Sequence, residues 1–378
     1  MNTARKLRIV AHIGARIIGG AELSMLRRLQ GLQGRGHHVV LCCNHDVIMT
    51  EAARWNVEAV RMPLRGDLVF GDAVRFARFL RRERPDVLVI CTFKKIWLAG
   101  LAAALAGVRG TVASVGLASD TPRRLKYRIA LRRWIDTVVL NAATLRRPFI
   151  AGLMAPDDVR VLVVYDGVDP SPVLQPPAEF RASLGIPRAA VVIGTVARLA
   201  RQKRLERLIE AFALLPDHVH AVIVGEGGER AVIEAAIAQH GLQDRVHLLG
   251  HRNDVGTCLA ALDVYVVTSD QEGMSGAMLE ALAAGVPVVS TPVSGAAEAL
   301  EPLPRGARPG VITDGFTAEA VATELRPLIA DTQLRAAMGA AAASSSERFT
   351  LQAMVDGWES VLLEVADRVS RPAGPVGE

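Results

Sequence analysis

The chain has 378 residues, of which 50% are hydrophobic and 4% aromatic, and it carries a formal net charge of +5. This length favours two domains of roughly 150–200 residues each over a single core. The low aromatic content and the lack of a recognisable nucleic-acid-binding motif argue against nucleic acid as a partner. No apolar run approaches the roughly 20 residues that cross a bilayer, so we expect a cytoplasmic protein, soluble or at most peripheral.

Apolar, β-rich runs alternate with helical-period segments along nearly the whole chain, which is typical of parallel sheets covered on both faces. In the first half the predicted strands are residues 7–13, 38–43, 57–62, 87–92, 111–115, 137–140 and 159–164. A Pro-rich stretch, residues 170–177, then interrupts the alternation and is the best candidate for a linker. After it the predicted strands are residues 191–196, 221–224, 246–249, 264–267 and 286–290.

This pattern predicts an α/β fold with two Rossmann-like domains, residues 1–170 and 171–350. An amphipathic stretch, residues 351–370, is long enough to pack back onto the first domain as a helix. Two domains imply a cleft between them.

Charge is divided unevenly between the two halves. Residues 1–170 hold 27 Lys and Arg against 14 Asp and Glu, whereas the remainder holds 17 against 25. The basic half is expected to meet something anionic, such as a membrane surface, a lipid phosphate or an acidic glycan. Residues 75–84 and 123–134 mix cations with apolar residues at helical spacing, as in helices that lie at an anionic membrane interface. A solvated, arginine-rich face explains these segments equally well.

Two cations follow the first predicted strand of the second domain. Arg198 comes just after the strand end, and Lys203 lies in the following loop or first helical turn. Both side chains can therefore reach a ligand at the carboxyl edge of the sheet. An arginine fork, a lysine ammonium and a helix N-terminus together suit a diphosphate. Taken alone, the two residues also fit solvated cations in a run that includes Arg201 and Arg204.

Two glutamates, Glu272 and Glu280, follow the predicted strand 264–267. Glu272 is predicted in the loop at the strand end, and Glu280 about one and a half turns into a helix that begins near Ser275. Carboxylates accept hydrogen bonds from paired hydroxyl groups, so one can hold sugar hydroxyls and the other ribose hydroxyls. The amides of residues 274–276 can cradle phosphate between them. Either acid alone is more often a helix-end charge.

At these residues the chain resembles the GT-B glycosyltransferases of family 4. The resemblance covers most of the chain and is strongest between Gly194 and Glu298. The matching segments are Gly194-Thr195-Val196-Ala197-Arg198-Leu199 with Lys203, Val224-Gly225-Glu226-Gly227, Leu249-Gly250-His251, the pair Glu272 and Glu280, and Gly295 with Glu298.

The resemblance implies the GT-B fold, in which two Rossmann-like domains face each other across a cleft. Residues 1–170 would form the acceptor-binding domain, residues 171–350 the nucleotide-sugar-binding domain, and residues 351–370 a helix that crosses back to the first. It also implies a retaining transfer from a nucleotide-diphosphate sugar to a glycan or lipid-linked acceptor, as in bacterial cell-surface polysaccharide or lipopolysaccharide synthesis. No cofactor or metal is expected, and the sequence has no Asp-x-Asp motif.

Carried onto this sequence, the family's site predicts that Arg198, Lys203 and Glu272 are the catalytic residues. Arg198 and Lys203 would bind the donor diphosphate, Glu272 the transferred sugar, and Glu280 the nucleotide ribose. The segment 250–253 would hold the base, largely through its backbone. Further donor contacts are expected at Gly225, Gly250, His251, Arg252, Gly273, Met274 and Ser275.

Gly19 and Gly20 follow the first predicted strand and open the first helix. They resemble the family's glycine-rich loop, which faces the diphosphate, and glycine there would permit positive φ and a close approach to the ligand. The segment lacks the G-x-G-x-x-G spacing of dinucleotide-binding proteins, and a purely structural turn is the alternative. Residues 165–169 resemble the family's Asn-Gly-Val-Asp, with Asp166 in place of Asn, and are interpreted as a hinge turn at the domain junction.

The acceptor side departs from the family pattern. Many members carry a His after the fifth strand of the first domain, where residues 113–117 of this chain read Ala-Ser-Val-Gly-Leu. His12, Lys94 and Asp120 are the remaining candidates for acceptor contacts, although a lone His at a strand end is more often a packing residue. Residues 301–307 also differ from the family's usual sequence, so the sugar and the base stay unassigned.

Two other functions fit the same patterns. A nucleotide-sugar epimerase can share this architecture, and a non-catalytic sugar-nucleotide-binding protein would agree with the missing His. Product analysis separates transfer from epimerisation, and turnover of a donor separates an enzyme from a binding protein.

Overall fold

The computed structural model describes residues 5–66, 68–117, 125–153 and 159–370. The chain divides into two compact units, one formed by Met1–Asp166 together with Leu351–Glu378 and the other by Gly167–Thr350. The first unit is therefore built from two separate stretches of chain, whereas the second is continuous.

In the described part of the first unit, seven parallel strands form one sheet. They are β1 (Arg8–Ile13), β2 (His38–Cys43), β3 (Glu58–Arg61), β4 (Val87–Ile90), β5 (Gly110–Val115), β6 (Thr137–Leu140) and β7 (Arg160–Val163), and their order is β3-β2-β1-β4-β5-β6-β7. Neighbouring residues of a strand pack into different hydrophobic clusters. In β1, Val10 belongs to one cluster, whereas Ile9 and Ala11 belong to the other. Both faces are thus covered, which is why these strands read as continuous apolar runs.

Helices of the first unit alternate with its strands. They are α1 (Gly20–Gly34), α2 (Asp46–Arg54), α3 (Phe70–Glu83), α4 (Ile96–Ala106), α5 (Leu125–Trp134) and α6 (Arg146–Leu153). A single 3-10 turn, Phe93–Lys95, joins β4 to α4.

The second unit repeats this architecture with a sheet of six parallel strands. The strands are β8 (Val191–Val196), β9 (Val219–Val224), β10 (Val246–Leu248), β11 (Val264–Val267), β12 (Val288–Ser290) and β13 (Gly310–Ile312), in the order β10-β9-β8-β11-β12-β13. The helices are α7 (Pro177–Ser183), α8 (Leu205–Ala213), α9 (Arg230–Gln239), α10 (Val255–Ala260), α11 (Gly276–Ala283), α12 (Ala296–Ala299), α13 (Ala318–Ala330) and α14 (Thr332–Ser346).

The last helix, α15 (Leu351–Ser370), packs against α1 and completes the first unit. The Arg28 guanidinium of α1 lies 3.8 Å from the centroid of the Trp358 ring. A Cβ on Gly31 would lie 2.4 Å from a methyl group of Val355, so glycine permits the close approach of the two helices. Among the helices in the described ranges, none has the length and apolar character that crossing a membrane requires.

The fold class predicted from the sequence is confirmed, including two α/β units with parallel sheets and a C-terminal helix that returns to the first. Each of the twelve predicted strands matches an observed strand, within a few residues at its ends. Strand β13 was not predicted. Its three residues begin with Gly310 and follow Pro309, a run too short and too rich in turn residues to stand out as a strand.

Candidate active site

The two strands β8 and β11 flank the point at which the strand order of the second unit reverses. In open α/β sheets such a switch point leaves a crevice at the carboxyl edge, where ligands bind. The segment after β8 carries Arg198 and Lys203, and the segment after β11 carries Glu272. The fold therefore brings the three predicted catalytic residues to the two loops that border this crevice.

Lys203 and Glu272 form an ion pair between these loops. The Lys203 ammonium donates to Glu272 Oε1, and Ser269 Oγ donates to the same oxygen at 2.7 Å. Glu272 is only 9% exposed. A carboxylate at this depth is costly to leave without partners, so the ammonium and the hydroxyl together compensate for the water that it has lost.

Further hydrogen bonds fasten the two loops to each other. Arg207 in α8 donates to the Thr268 carbonyl oxygen at 2.6 Å and to Asp270 Oδ1 at 2.7 Å. The Asp270 amide donates to the Gln202 carbonyl oxygen at 3.0 Å. Thr268 Oγ1 donates to the Lys203 carbonyl oxygen, also at 3.0 Å. The backbone at Lys203 is thereby fixed relative to the loop after β11.

Arg198 differs from Lys203 because its side chain has no fixed partner in the part of the chain that the structure describes. The residue is exposed, and none of the residues that the structure describes forms a hydrogen bond or an ion pair with its guanidinium. Its backbone is held on both sides, since the Ala197 amide donates to Val224 and the Leu199 amide to Glu226, each at 2.9 Å. A guanidinium on a fixed backbone at a strand end is well placed to bind an anion.

Gly225 allows the loops after β8 and β9 to come together. Its φ of +138° lies in the region that favours glycine, and a Cβ there would lie 1.9 Å from the Ala197 carbonyl oxygen. The Gly225 amide donates to the Gly250 carbonyl oxygen at 2.8 Å, which links the loops after β9 and β10. The predicted donor residues Gly225 and Gly250 therefore lie at the same sheet edge as Arg198.

The side chains of His251 and Arg252 contact their own loop. His251 is exposed, and its Nε2 lies 3.2 Å from Asn253 Oδ1. Arg252 donates to both carboxylate oxygens of Asp254, at 2.8 and 2.6 Å, and this hydrogen bonding holds the pKa of Asp254 below its ordinary value. Because the Arg252 guanidinium is already committed to Asp254, recognition of a base in this segment would depend on backbone groups.

The segment between the two glutamates leads into α11. Gly273, Met274 and Ser275 are buried, and Ser275 directly precedes the first helical residue, Gly276, as the sequence predicted. The Gly295 amide donates to the Gly273 carbonyl oxygen at 2.8 Å and anchors the segment. The first amides of a helix have no acceptor within it, so the start of α11 suits an anion.

Glu280 lies in α11 and is half-buried. Burial raises the pKa of Tyr265 in β11, and the nearby carboxylates of Glu272 and Glu280 raise it further. The Tyr265 hydroxyl donates to the Val196 carbonyl oxygen at 3.0 Å, and Tyr265 lines one pocket together with Lys203 and Glu272. The negative charges of both predicted glutamates thus raise the pKa of the same buried tyrosine at the switch point.

In the first unit, Gly19 and Gly20 lie where β1 gives way to α1. Gly20 is the first helical residue, and Gly19 before it is extended, with a φ of −148°. Neither belongs to the residues with positive φ, so the left-handed conformations that glycine permits are not used at these two positions. Among the described residues, no atom lies within 4 Å of a Cβ built on Gly20. Packing among the described residues therefore does not require glycine at that position.

The candidates for acceptor contacts are placed very differently from one another. His12 is 0% exposed, with its Nε2 3.1 Å from the Met62 carbonyl oxygen and its ring 5.4 Å from that of Phe76. Burial lowers its pKa to about 4. His12 is thus a buried imidazole that packs against its neighbours, and its role as an acceptor contact stays a prediction. Lys94 is exposed in the turn after β4. Asp120 lies outside the described residues.

The sequence reasoning did not identify the residues that support the ion pair. Ser269 and Asp270 follow β11 after Thr268, and Arg207 lies in α8. A polar pair right after an apolar strand was the available signal, since such residues lie at the carboxyl edge of a parallel sheet. The sequence did not show that Ser269 turns towards Glu272 while Asp270 turns towards Arg207.

Comparison with protein families shows two matches that together span most of the chain. Residues 177–345 match the family described as glycosyl transferases group 1. Residues 18–172 match the family described as glycosyltransferase family 4. The boundary between the two matches lies close to the boundary between the two units of the structure.

Among curated proteins, the chain is 30% identical over 255 residues to the lipopolysaccharide core biosynthesis glycosyltransferase LpsE of Rhizobium meliloti, which is 68% of each chain. It is 26% identical over 318 residues to an Escherichia coli enzyme named UDP-Gal:alpha-D-GlcNAc-diphosphoundecaprenol alpha-1,3-galactosyltransferase, covering 78% of this chain and 81% of that one.

Among solved structures, HepE of Anabaena in complex with UDP and glucose superposes with a TM-score of 0.81 at 22% identity, covering 95% of this chain and 100% of that one. A glycosyltransferase from Rickettsia africae gives the same TM-score at 17% identity, covering 96% of this chain and 99% of that one. At these identities the likeness shows the fold.

Proposed function

The chain belongs to the family 4, group 1 glycosyltransferases of the GT-B fold, and we propose that it transfers a sugar from a nucleotide-diphosphate donor to a glycan or lipid-linked acceptor. The transfer retains the anomeric configuration and uses no metal. Two relatives support a product in lipopolysaccharide or another cell-surface polysaccharide, since one is named for lipopolysaccharide core biosynthesis and another for transfer to a sugar on diphosphoundecaprenol.

The ion pair between Lys203 and Glu272 is the observation that carries this proposal. A donor diphosphate would give the Lys203 ammonium a second anionic partner and leave Glu272 free to accept hydrogen bonds from the sugar hydroxyls. Arg198, exposed and without a partner among the described residues, would bind the diphosphate as a fork. Glu280 in α11 would hold the ribose.

Charge develops on the leaving diphosphate as its bond to the sugar breaks. Positive groups already fixed in place stabilise this charge without reorganisation. The hydrogen bonds between the loops after β8 and β11 provide such fixation at Lys203, and the first amides of α11 add further donors.

We favour attack from the face that the diphosphate leaves. The bond between the anomeric carbon and the β-phosphate oxygen breaks, and a bond from that carbon to the acceptor oxygen forms on the same face. The acceptor hydroxyl gives its proton to the departing phosphate oxygen. Arg198 and Lys203 would hold that oxygen near the acceptor.

Substitution of the ion-pair residues tests the proposal directly. Glu272→Ala and Lys203→Ala should each abolish most transfer while the far-ultraviolet circular dichroism stays that of the wild type. Glu210→Ala, at an exposed position of α8, is the matched control and should retain full activity. Wild-type rates in either site variant would refute the assignment.

The donor can be identified by thermal denaturation with UDP-, GDP-, ADP- and dTDP-sugars. A donor at 100 times its Kd stabilises the folded state by about 2.7 kcal/mol. The stabilising donor should lose much of its effect in Arg198→Gln, whose substituted side chain has no partner to lose among the described residues. If every donor stabilises the wild type and Arg198→Gln to the same extent, Arg198 has no role in donor binding.

We also propose that the first unit attaches peripherally to the inner face of the cytoplasmic membrane. The helix α5 supports this with basic residues beside Leu125 and Ile129, which are 67% and 39% exposed. Arginines of α3 add to the positive charge. Vesicles with anionic lipid should carry the protein upward in flotation at low salt, and neutral vesicles should not. Failure to float with anionic vesicles would end this proposal.

A further inference from the structure

A groove of about 270 Å³ lies at the amino edge of the sheet in the first unit. It is bordered by two successive connections, the one from α4 to β5, which contains Arg109, and the one from α5 to β6, which contains Asp136. Strands of a parallel sheet all begin at this edge. The groove is therefore at the opposite edge from the carboxyl ends of the strands, where Gly19 and Lys94 lie.

Three arginines line this groove. Arg109 comes just before β5, and Arg132 and Arg133 lie in the last turn of α5. All three are exposed, and none of the residues in the described ranges forms an ion pair or a hydrogen bond with their guanidinium groups. Arginine's planar fork matches phosphate oxygens in geometry and charge.

The acid that lines the groove, Asp136, forms no ion pair with these arginines among the described residues, and its single negative charge is outnumbered by their three positive ones. Its Oδ2 accepts hydrogen bonds from the amide and the hydroxyl of Thr111, both at 2.7 Å. Trp134 gives the groove an apolar side and is held by the ring of Trp97, 5.2 Å away. The wall of the groove is thus rigid, and its charge is positive.

We propose that this groove, called the arginine groove, is a second anion site that binds a phosphate group. Its volume accommodates a phosphate monoester or diester together with part of the group that it esterifies. The phosphate can belong to a soluble compound or to a lipid headgroup. The groove belongs to the first unit, at the sheet edge opposite Gly19, whereas the residues proposed to hold the donor belong to the second unit, so we expect the occupant of the groove to be a molecule other than the donor.

A simpler role for two of the arginines is to stabilise the C-terminus of α5, where positive charge is favourable. That role does not extend to Arg109, which lies outside the helix and directly before β5. Arg109→Gln therefore removes a groove cation without changing the charge of α5, and it stays informative if a multiple variant fails to fold.

The test compares the wild type with two triple variants of equal charge. One variant carries Arg109→Gln, Arg132→Gln and Arg133→Gln. The control carries Arg188→Gln, Arg308→Gln and Arg326→Gln, three exposed arginines of the second unit. Binding of inorganic phosphate and of glycerol 3-phosphate is measured by titration calorimetry, and binding to vesicles with and without phosphatidylglycerol by flotation.

The groove variant should bind the phosphate probe about tenfold more weakly than the wild type, since it loses several charge-assisted hydrogen bonds. Arg109→Gln should show a smaller loss in the same direction, and the control should match the wild type. Weaker binding of the soluble probes supports a soluble phosphate compound, and weaker binding of anionic vesicles alone supports a headgroup. If the groove variant and the control behave alike with every probe, the arginine groove is not an anion site.

Discussion

Replacing Lys203 by Met should destabilise the ligand-free protein through the carboxylate that the ammonium contacts. The Glu272 side chain is 10% exposed and that of Lys203 is 21% exposed, and Met keeps most of the lysine stem. After loss of the ammonium, the buried Glu272 carboxylate keeps the hydrogen bond that the Ser269 hydroxyl donates. A hydrogen bond to a charged group contributes about 1.5–3 kcal/mol, so the free energy of unfolding in urea should fall by about that amount.

A second substitution separates charge from packing. In Lys203→Met/Glu272→Gln the carboxylate is gone, so the double variant should be more stable than Lys203→Met alone, although both lack transferase activity. The same cycle with Arg230 and Glu234, an exposed pair in α9, should give a coupling below about 1 kcal/mol. The pair of Lys203 and Glu272 would be effectively solvated if Lys203→Met were as stable as the wild type. The same would follow if the double variant were no more stable than Lys203→Met.

Three further outcomes follow from the structure. Burial lowers the pKa of His12 from 6.5 to about 4, so the folded state resists protonation and the free energy of unfolding should fall by up to about 3 kcal/mol as pH drops from 6.5 to 4. Urea titrations at both pH values should show less of this loss in His12→Gln; an equal loss would contradict it. Gly225→Ala should lower the Tm by several degrees because the new Cβ would collide with the Ala197 carbonyl oxygen. Gly228→Ala is the control and should leave the Tm unchanged, since no atom of the described residues lies within 4 Å of a Cβ at that position. Ser269→Ala should reduce kcat while the donor Kd changes less, and unchanged kcat would exclude a positioning role.

The fold was predictable because its strands are buried on both faces. Residues 87–91, for example, form a continuous apolar run whose side chains alternate between two cores. Strand β13 lacks such a run. The placement of Arg198 and Glu272 followed from the rule that residues after parallel strands lie at the carboxyl edge.

The sequence could not determine which polar side chains would pair. Arg252 and Asp254 are two residues apart, and only the loop geometry shows that they bind each other. The φ of Gly19 depends on how the chain enters α1, which tertiary packing decides. His12 shows the same limit, since its position at the end of an apolar run fits both a packing role and a ligand contact, and the sequence did not show that its ring would contact the Met62 carbonyl oxygen.

The return of α15 to the first unit has a consequence for the order in which the protein forms on the ribosome. The second unit, Gly167–Thr350, is continuous and can fold once its last residue has emerged. The first unit is synthesised earlier but lacks Trp358 and Leu362 until the whole second unit has been made, and both are buried in its core. The half that is made first would therefore mature last, and its sheet would expose an apolar face while the second unit is being synthesised.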